Sequence, residues 1–132
     1  MKKQKGQSVL EFALVAPLLI IIMLGIMDLG WIMHQQIQID NATRLGARRG
    51  AVGENTSIII DRMLEVCDFI AEEDIIIEVL DPTGAPIGNS DDRTPDNLIS
   101  VRIHLDDVNP FGPLGWLPGS IVLGSEAEFL IE

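Results

Sequence analysis

The sequence predicts an α+β fold in which a long N-terminal transmembrane helix leads into a second, amphipathic helix and a small three-stranded antiparallel sheet. Three observations support this prediction. An apolar run of membrane length occupies residues 12–33, apolar residues then recur every three or four positions to about residue 71, and short β-branched or alternating segments follow. About a hundred residues remain after the anchor, which is the size of one small domain.

The apolar run is long enough to cross a bilayer, because its 22 residues would span roughly 33 Å as a helix. Asp28 is its only charged residue and lies near the far end, where we expect it to reach the aqueous interface, with Trp31 as an aromatic anchor. Three lysines precede the run with no acidic residue among them. This asymmetry predicts a cytoplasmic N-terminus and an extracytoplasmic remainder.

Two other interpretations of this run are disfavoured. A cleaved secretory signal would need small residues in an A-x-A pattern, but residues 25–27 lack that pattern and the apolar run continues beyond them. A lipoprotein signal requires a cysteine just after the run, whereas the only cysteine is Cys67. The run is therefore interpreted as a retained single-pass anchor.

Two helices are predicted. The first extends from about Ser8 to Val52, because proline is absent beyond the membrane run and one apolar stripe continues there, with Gly53 as the stop. The stripe comprises Ile32, Gln35, Ile39, Ala42, Leu45 and Val52. The second helix begins at Thr56 or Ser57 and reaches about Ala71. Its apolar positions are Ile59, Ile60, Met63, Leu64, Cys67 and Ile70.

Three strands are predicted after these helices. Residues 75–80 are β-branched and run into a turn sequence, residues 98–105 alternate between apolar and polar, and residues 120–131 supply the last strand. In that last strand, one face carries Ala127, Phe129 and Ile131, and the other carries Glu126, Glu128 and Leu130.

Two segments between the strands are predicted to be irregular. Residues 88–97 contain no large apolar residue and suggest a mobile connection. Residues 109–119 are too rich in proline and glycine for regular structure, yet they carry large apolar side chains. We expect this second segment to lie packed on the domain.

The composition is strongly acidic, with a formal net charge of −11. All lysines lie within the first five residues, so the exported part is more acidic still. Such a surface repels phosphate backbones, and no basic stripe with interleaved aromatic residues is present, so we expect no nucleic-acid partner. The single cysteine, Cys67, rules out an internal disulfide; burial as a small apolar residue is favoured over an intermolecular bridge.

Residues that could support catalysis or metal binding do not form a known pattern. His34 and His104 are far apart and lack neighbours at zinc-ligand spacing, and the acidic pairs at 91–92 and 106–107 lack the spacing of a calcium loop. Ser57 and Ser100 have no nearby histidine, and no glycine-rich loop opens a helix. We therefore expect neither an enzyme, a cofactor, a metal nor a small-molecule substrate.

The head of the chain carries a more specific signal. Residues 6–19 read GQSVLEFALVAPLL, residues 28–30 read DLG, and residues 42–51 read ATRLGARRGA. These segments resemble the TadE-like family, the TadE and TadF pseudopilins of tight-adherence (Flp) pilus assembly systems. The resemblance covers about residues 6–52 and implies a pilin-like architecture.

The resemblance also implies roles for individual residues. A prepilin peptidase would cut between Gly6 and Gln7, ahead of Phe12, so that Glu11 becomes the fifth residue and faces a freed amino group when helices pack. The implied organisation is a leader at 1–6, a transmembrane segment at 7–33 and an extracytoplasmic domain at 34–132. Helix packing or assembly would involve Pro17, Asp28, Gly46 and Gly50, although close packing within the chain also explains the two glycines.

The function implied is that of a minor, non-catalytic pseudopilin in the bacterial cytoplasmic membrane. Its expected partners are the membrane, the prepilin peptidase, other pilin or pseudopilin subunits and the Tad assembly machinery. The alternative is a single-pass binding module whose acidic exterior domain captures a cationic ligand or a protein without any role in a pilus. A hydrolase on a membrane stalk is disfavoured, since no nucleophile and base are visible.

Overall fold

The computed structural model describes residues 2–92, 94–108, 110, 112–116, 119 and 121–131, with the side chains of residues 2–5 and 107 left aside. Along the chain, two helices are followed by the strands of one sheet, with 3₁₀ turns at Glu72–Asp74 and Pro113–Trp116. The α+β class predicted from the sequence is confirmed.

The first helix, α1, extends over Lys2–Ala51 as one continuous element. It ends because Gly53 adopts a left-handed conformation with φ of +92°, and its N–H bonds back to the Gly50 carbonyl at 3.0 Å. Arg48 and Arg49 occupy the last turn, where cations complement the helix dipole. The long helix and its stop are thus as predicted, but α1 begins at Lys2 rather than at about Ser8. Val52 lies beyond the helix and is 81% exposed rather than part of the buried stripe.

The second helix, α2, covers Thr56–Val66 and is shorter than predicted. Cys67, the residue that follows the helix, is already extended, and the chain then makes the 3₁₀ turn in which the Asp74 carboxylate accepts the Ala71 N–H at 2.8 Å. This local hydrogen bond competes with continued helix and directs the chain into the first strand. Cys67 is fully buried and free, which confirms the predicted buried thiol.

The sheet contains four antiparallel strands, β1 (Ile75–Leu80), β2 (Pro86–Ile87), β3 (Leu98–Val108) and β4 (Ile121–Leu130), in the order β2-β1-β3-β4. The prediction of three strands was therefore wrong by one short edge strand. Asp81 holds the β1–β2 turn, because its Oδ1 accepts the N–H groups of Thr83 and Ala85 at 2.8 and 2.9 Å. Pro86 is tolerated in β2 because an edge strand does not require every N–H.

One face of the sheet meets the helices. Cross-strand partners such as Val79 and Ile99 alternate with exposed residues, so the inward positions form a single core with α2 and the second half of α1. The most deeply buried members are Ile39, Ala42, Ala47, Ile59, Met63, Cys67, Val79, Ile99, Val101 and Ile103. The buried core residues therefore lie beyond the membrane-length part of α1, although the partly buried Ile32 at its end packs against them.

The connection predicted to be mobile, residues 88–97, contacts the start of α2. The Thr56 N–H donates to the Asp91 carboxylate at 2.9 Å, and the Thr56 hydroxyl donates to the Ser90 carbonyl at 3.0 Å. A carboxylate at this position satisfies an otherwise unpaired helix N–H and complements the helix dipole. The described part of this connection thus caps the N-terminus of α2, although it lies more than thirty positions later in the chain.

Candidate membrane and assembly site

The head of α1 projects away from the domain. Phe12 is 70% exposed, and a Cβ placed on Gly6 would meet nothing within 4 Å. Gln7 lies one turn before Glu11 and donates from Nε2 to its Oε1 at 3.3 Å. The residues implied in peptidase processing are therefore together on an accessible, helical segment.

The rest of the apolar run is equally uncovered. Its most apolar 18-residue stretch has a mean hydropathy of 2.7, and none of that stretch is buried. Within the described chain, α1 is the one helix that is long and apolar enough to cross a membrane, which fits a single-pass anchor. Pro17 lies inside this run without ending the helix, although its ring leaves the carbonyl of residue 13 without its usual partner. Such a proline is tolerated in membrane helices, because neighbouring helices or local changes in helix geometry satisfy the backbone group that it leaves free.

Asp28 was expected to reach water at the interface, and this is wrong. It is only 2% exposed, since the segment before β4 folds back against α1 and covers it. The Gly112 N–H donates to its Oδ1 at 2.8 Å, and the Leu114 N–H donates to its Oδ2 at 3.1 Å. The expectation failed because the two backbone donors lie more than eighty positions away along the chain.

The approach of this segment depends on Gly112. A Cβ at that position would lie 2.8 Å from the Asp28 Oδ2, so that a larger residue would force the carboxylate or the loop to shift. The segment was predicted to be irregular and packed on the domain; its described residues instead include the 3₁₀ turn Pro113–Trp116, and it packs on α1. The predictions at Asn109, Phe111, Leu117 and Pro118 lie outside the described residues.

An apolar hollow of about 350 Å³ opens beside this contact. It faces the same stretch of α1 as Asp28 and is open to the surroundings. Its lining residues are Leu24, Met27, Asp28, Gly30, Trp31, His34 and Gly112.

The two glycines of the small-residue element, Gly46 and Gly50, face the interior of the domain. A Cβ at Gly46 would lie 2.5 Å from the Met63 Sδ, and one at Gly50 would lie 2.0 Å from the Ile99 Cδ1. Their absent side chains let α1 approach α2 and β3 closely. The structure therefore places both in packing within one chain.

A polar contact that the sequence did not reveal joins α1 to the sheet. The Gln36 Nε2 donates to the Gly124 carbonyl at 2.9 Å and to the Asp40 Oδ1 at 3.0 Å. Residues 35–38 read QQIQ just beyond the apolar run, and this cluster of amides was the available signal. The contact fixes β4 against the point where α1 leaves its apolar part.

Metal-binding clusters were not expected, and in the part of the chain that is described no three His, Cys, Asp or Glu side chains are grouped so that they could hold an ion.

Burial raises the pKa of the Cys67 thiol, and the neighbouring Asp68 charge adds to that effect. A buried thiol with a raised pKa is a poor nucleophile.

Comparisons with known proteins bear on the head of the chain alone. No curated protein and no solved structure matches the sequence. Residues 6–48 match the family model described as TadE-like protein, which confirms, for this N-terminal segment, the resemblance to the TadE-like family.

Proposed function

We propose that the chain is a minor pseudopilin of Tad pilus biogenesis. In this role a prepilin peptidase removes residues 1–6, α1 anchors the product in the bacterial cytoplasmic membrane, and the domain beyond residue 33 lies on the outer side. The protein acts by packing with other pilin or pseudopilin subunits, where it helps to initiate, assemble or cap the fibre. It performs no catalysis of its own.

The observation that carries this proposal is a carboxylate placed on an otherwise uncovered apolar helix. Glu11 is exposed among side chains such as Leu10 and Phe12, which are 69% and 70% exposed. An isolated carboxylate at the edge of a hydrocarbon layer is unfavourable, so a helix that retains one benefits from a cationic partner. The amino group that processing would free at Gln7 is such a partner.

Processing would create the partner at the right distance. Cleavage after Gly6 converts the Gln7 N–H into an ammonium group one helical turn from Glu11, on the side where the two side chains already meet at 3.3 Å. A paired carboxylate and ammonium are far less costly in an apolar layer than either charge alone. The pair can form within one chain or between adjacent helices of a bundle.

The experiment measures the mass of the membrane-extracted chain from cells that contain an active prepilin peptidase. We expect the wild-type chain to begin at Gln7 and the Gly6→Val variant to retain Met1, because a β-branched side chain obstructs the cut. Gly25→Val is the matched control, since a Cβ at Gly25 also meets nothing within 4 Å. We expect this control to be cleaved like the wild type.

A Glu11→Gln arm separates processing from assembly in the same cells. We expect this variant to be cleaved but to reduce the number of surface fibres, because the ammonium group loses its charged partner. A wild-type chain that keeps Met1 would contradict the proposal and favour the membrane-anchored binding module. Unchanged fibres in Glu11→Gln would remove the role assigned to the carboxylate.

A further inference from the structure

The depth of Asp28 along α1 is the starting point. Asp28 lies seventeen positions after Glu11, which corresponds to about 26 Å of helix, whereas the hydrocarbon core of a bilayer is about 30 Å thick. The apolar run continues for five more residues to Met33, or about 8 Å. If α1 is the anchor of the proposed function, Asp28 lies at or just inside the boundary of the apolar layer on the domain's side.

A carboxylate at that depth needs hydrogen-bond donors that water does not supply. Both of its oxygens have one, from the backbone N–H groups of Gly112 and Leu114 at 2.8 and 3.1 Å. Asp28 is 2% exposed as a result. Because these donors belong to residues 112–116, that loop must reach the same depth as the carboxylate it surrounds.

The composition of the 112–116 loop suits an apolar boundary. Its sequence, GPLGW, has no charged residue, and no charged residue occurs between 109 and 119. Trp116 is 77% exposed although it is a large aromatic residue. Tryptophan is favoured at membrane interfaces, because its apolar ring contacts lipid while its polar N–H reaches the headgroups or water.

The surroundings of the loop continue the same apolar surface. Trp31 is 44% exposed, and the hollow of about 350 Å³ beside Gly112 is lined by Leu24 and Met27. These side chains belong to the face of α1 that the anchor presents to lipid. The exposed loop is therefore an extension of the lipid-facing surface rather than a separate patch.

We propose that the 112–116 loop is a second membrane contact, in which Asp28 holds the loop against α1 and Trp116 enters the lipid interface on the domain's side. The occupant of this surface is lipid. The domain is thereby fixed at two points and does not swivel freely on a stalk.

The test uses the two tryptophans, Trp31 and Trp116, as separate depth reporters. The full chain is reconstituted into phosphatidylcholine–phosphatidylglycerol vesicles that contain lipids brominated at a shallow or a deep acyl position. In the Trp31→Phe variant, we expect shallow bromines to quench most of the Trp116 emission and added acrylamide to quench little. Trp116 emission that responds to acrylamide but to neither brominated lipid would overturn the proposal, because it would place the side chain in water.

The Trp116→Phe variant shows whether the anchor itself is inserted. We expect brominated lipid to quench Trp31 in this variant. If Trp31 is quenched and Trp116 is not, the loop proposal fails while the anchor stands. If neither is quenched, the anchor assignment on which both proposals rest fails.

Asp28→Ala tests the positioning role of the carboxylate. Added to Trp31→Phe, it is expected to abolish most of the quenching of Trp116 by shallow bromines; added to Trp116→Phe, it should leave Trp31 quenching unchanged. Hydrogen exchange of β3 amides monitors whether the domain remains folded. Unchanged Trp116 quenching would show that Asp28 does not hold the loop. If Asp28→Ala unfolds the domain, Asp28→Asn replaces it in the experiment. This variant keeps one acceptor oxygen and is expected to lose part of the Trp116 quenching.

Discussion

The two halves of α1 differ in what surrounds them, although they form one continuous helix. In the first half, Ile22 is 52% exposed and belongs to a run of exposed leucine, isoleucine and methionine side chains. In the second half, Ile39 is fully buried, and its neighbours toward the domain are mainly small residues such as Ala42 and Gly46. The first half has apolar surface without a protein partner. The second half is closely packed from Ile39 onward, while side chains before it, such as Met33, continue the uncovered surface.

The difference shows that hydrophobicity and burial are separate properties of this helix. Large apolar side chains stabilise the first half only if lipid or other helices cover them, since exposed patches of this size are rare on soluble monomers. Small residues in the second half bring its backbone near α2 and the sheet, where dispersion contacts are made. Substitutions at matched residue types in the two halves can test this separation.

The largest expected effect comes from Ile39→Ala compared with Ile22→Ala. Removing the buried side chain should lower the free energy of unfolding of the domain by about 2–5 kcal/mol, because a cavity remains in the core. The same change at Ile22 should alter it by less than about 0.5 kcal/mol, since the domain makes no use of that side chain. Urea denaturation of the full chain in mild detergent, followed by hydrogen exchange of β3 amides, measures both. Equal losses would mean that the two halves of α1 unfold as one unit.

A smaller effect is expected from Gly50→Ala compared with Gly25→Ala. The new methyl at Gly50 would overlap the buried Ile99, at a cost of about 1–3 kcal/mol, partly offset by about 1 kcal/mol of improved helix propensity. The net loss of stability should be on the order of 1 kcal/mol, whereas Gly25→Ala should leave domain stability unchanged. The same denaturation experiment applies. A stabilised Gly50→Ala would show that Ile99 moves aside freely.

Much of this architecture follows from local sequence patterns. The end of α1 was predictable because an uninterrupted helical pattern stops at Gly53, and β1 and β3 were predictable because β-branched or alternating residues mark them. The edge strand β2 was missed, since Pro86 and Ile87 are too few to show a period and depend on the Asp81 turn. The end of α2 was placed too late because Ile70 keeps the helical spacing but is buried after the helix has ended.

The candidate site was less predictable for a related reason. Gly6, Gln7 and Glu11 form a local motif and were found together in the sequence. The environment of Asp28 depends on backbone groups of Gly112 and Leu114, which no local pattern connects with it. Spacing identified the small residues at 46 and 50 but could not say whether α2 or another subunit approaches them.

The smallest effect concerns carboxylates and extends the comparison to the water-exposed face of the sheet. Asp28, near the end of the apolar run, is bonded by backbone amides. Glu126 on β4 instead accepts from the Arg102 Nη2 at 2.7 Å, its Nε at 2.9 Å and the Ser100 hydroxyl at 3.2 Å. The hydrogen bond from Arg102 holds the pKa of Glu126 below its ordinary value; desolvation opposes this shift, and the charge of Arg102 and the hydrogen bond from Ser100 add to it. Both side chains are nearly half exposed, so solvent screening limits the contribution of the pair to about 0.2–1 kcal/mol.

The direction of the pKa shift determines how this contribution depends on pH. Since the folded state lowers the pKa of Glu126, its stabilisation is fully present above the unfolded value of about 4.3 and disappears as the pH falls through the folded value. We expect Glu126→Gln to be less stable than the wild type at pH 7 and the difference to vanish in acid, while Glu128→Gln, on the same strand face, changes little at either pH. Denaturation of the three proteins at both pH values measures this. A difference in stability that persists in acid would mean that Glu126 acts through packing or neutral hydrogen bonds. In that case the surroundings of the carboxyl group, rather than its charge, would determine its contribution to stability even on the water-exposed face of the sheet.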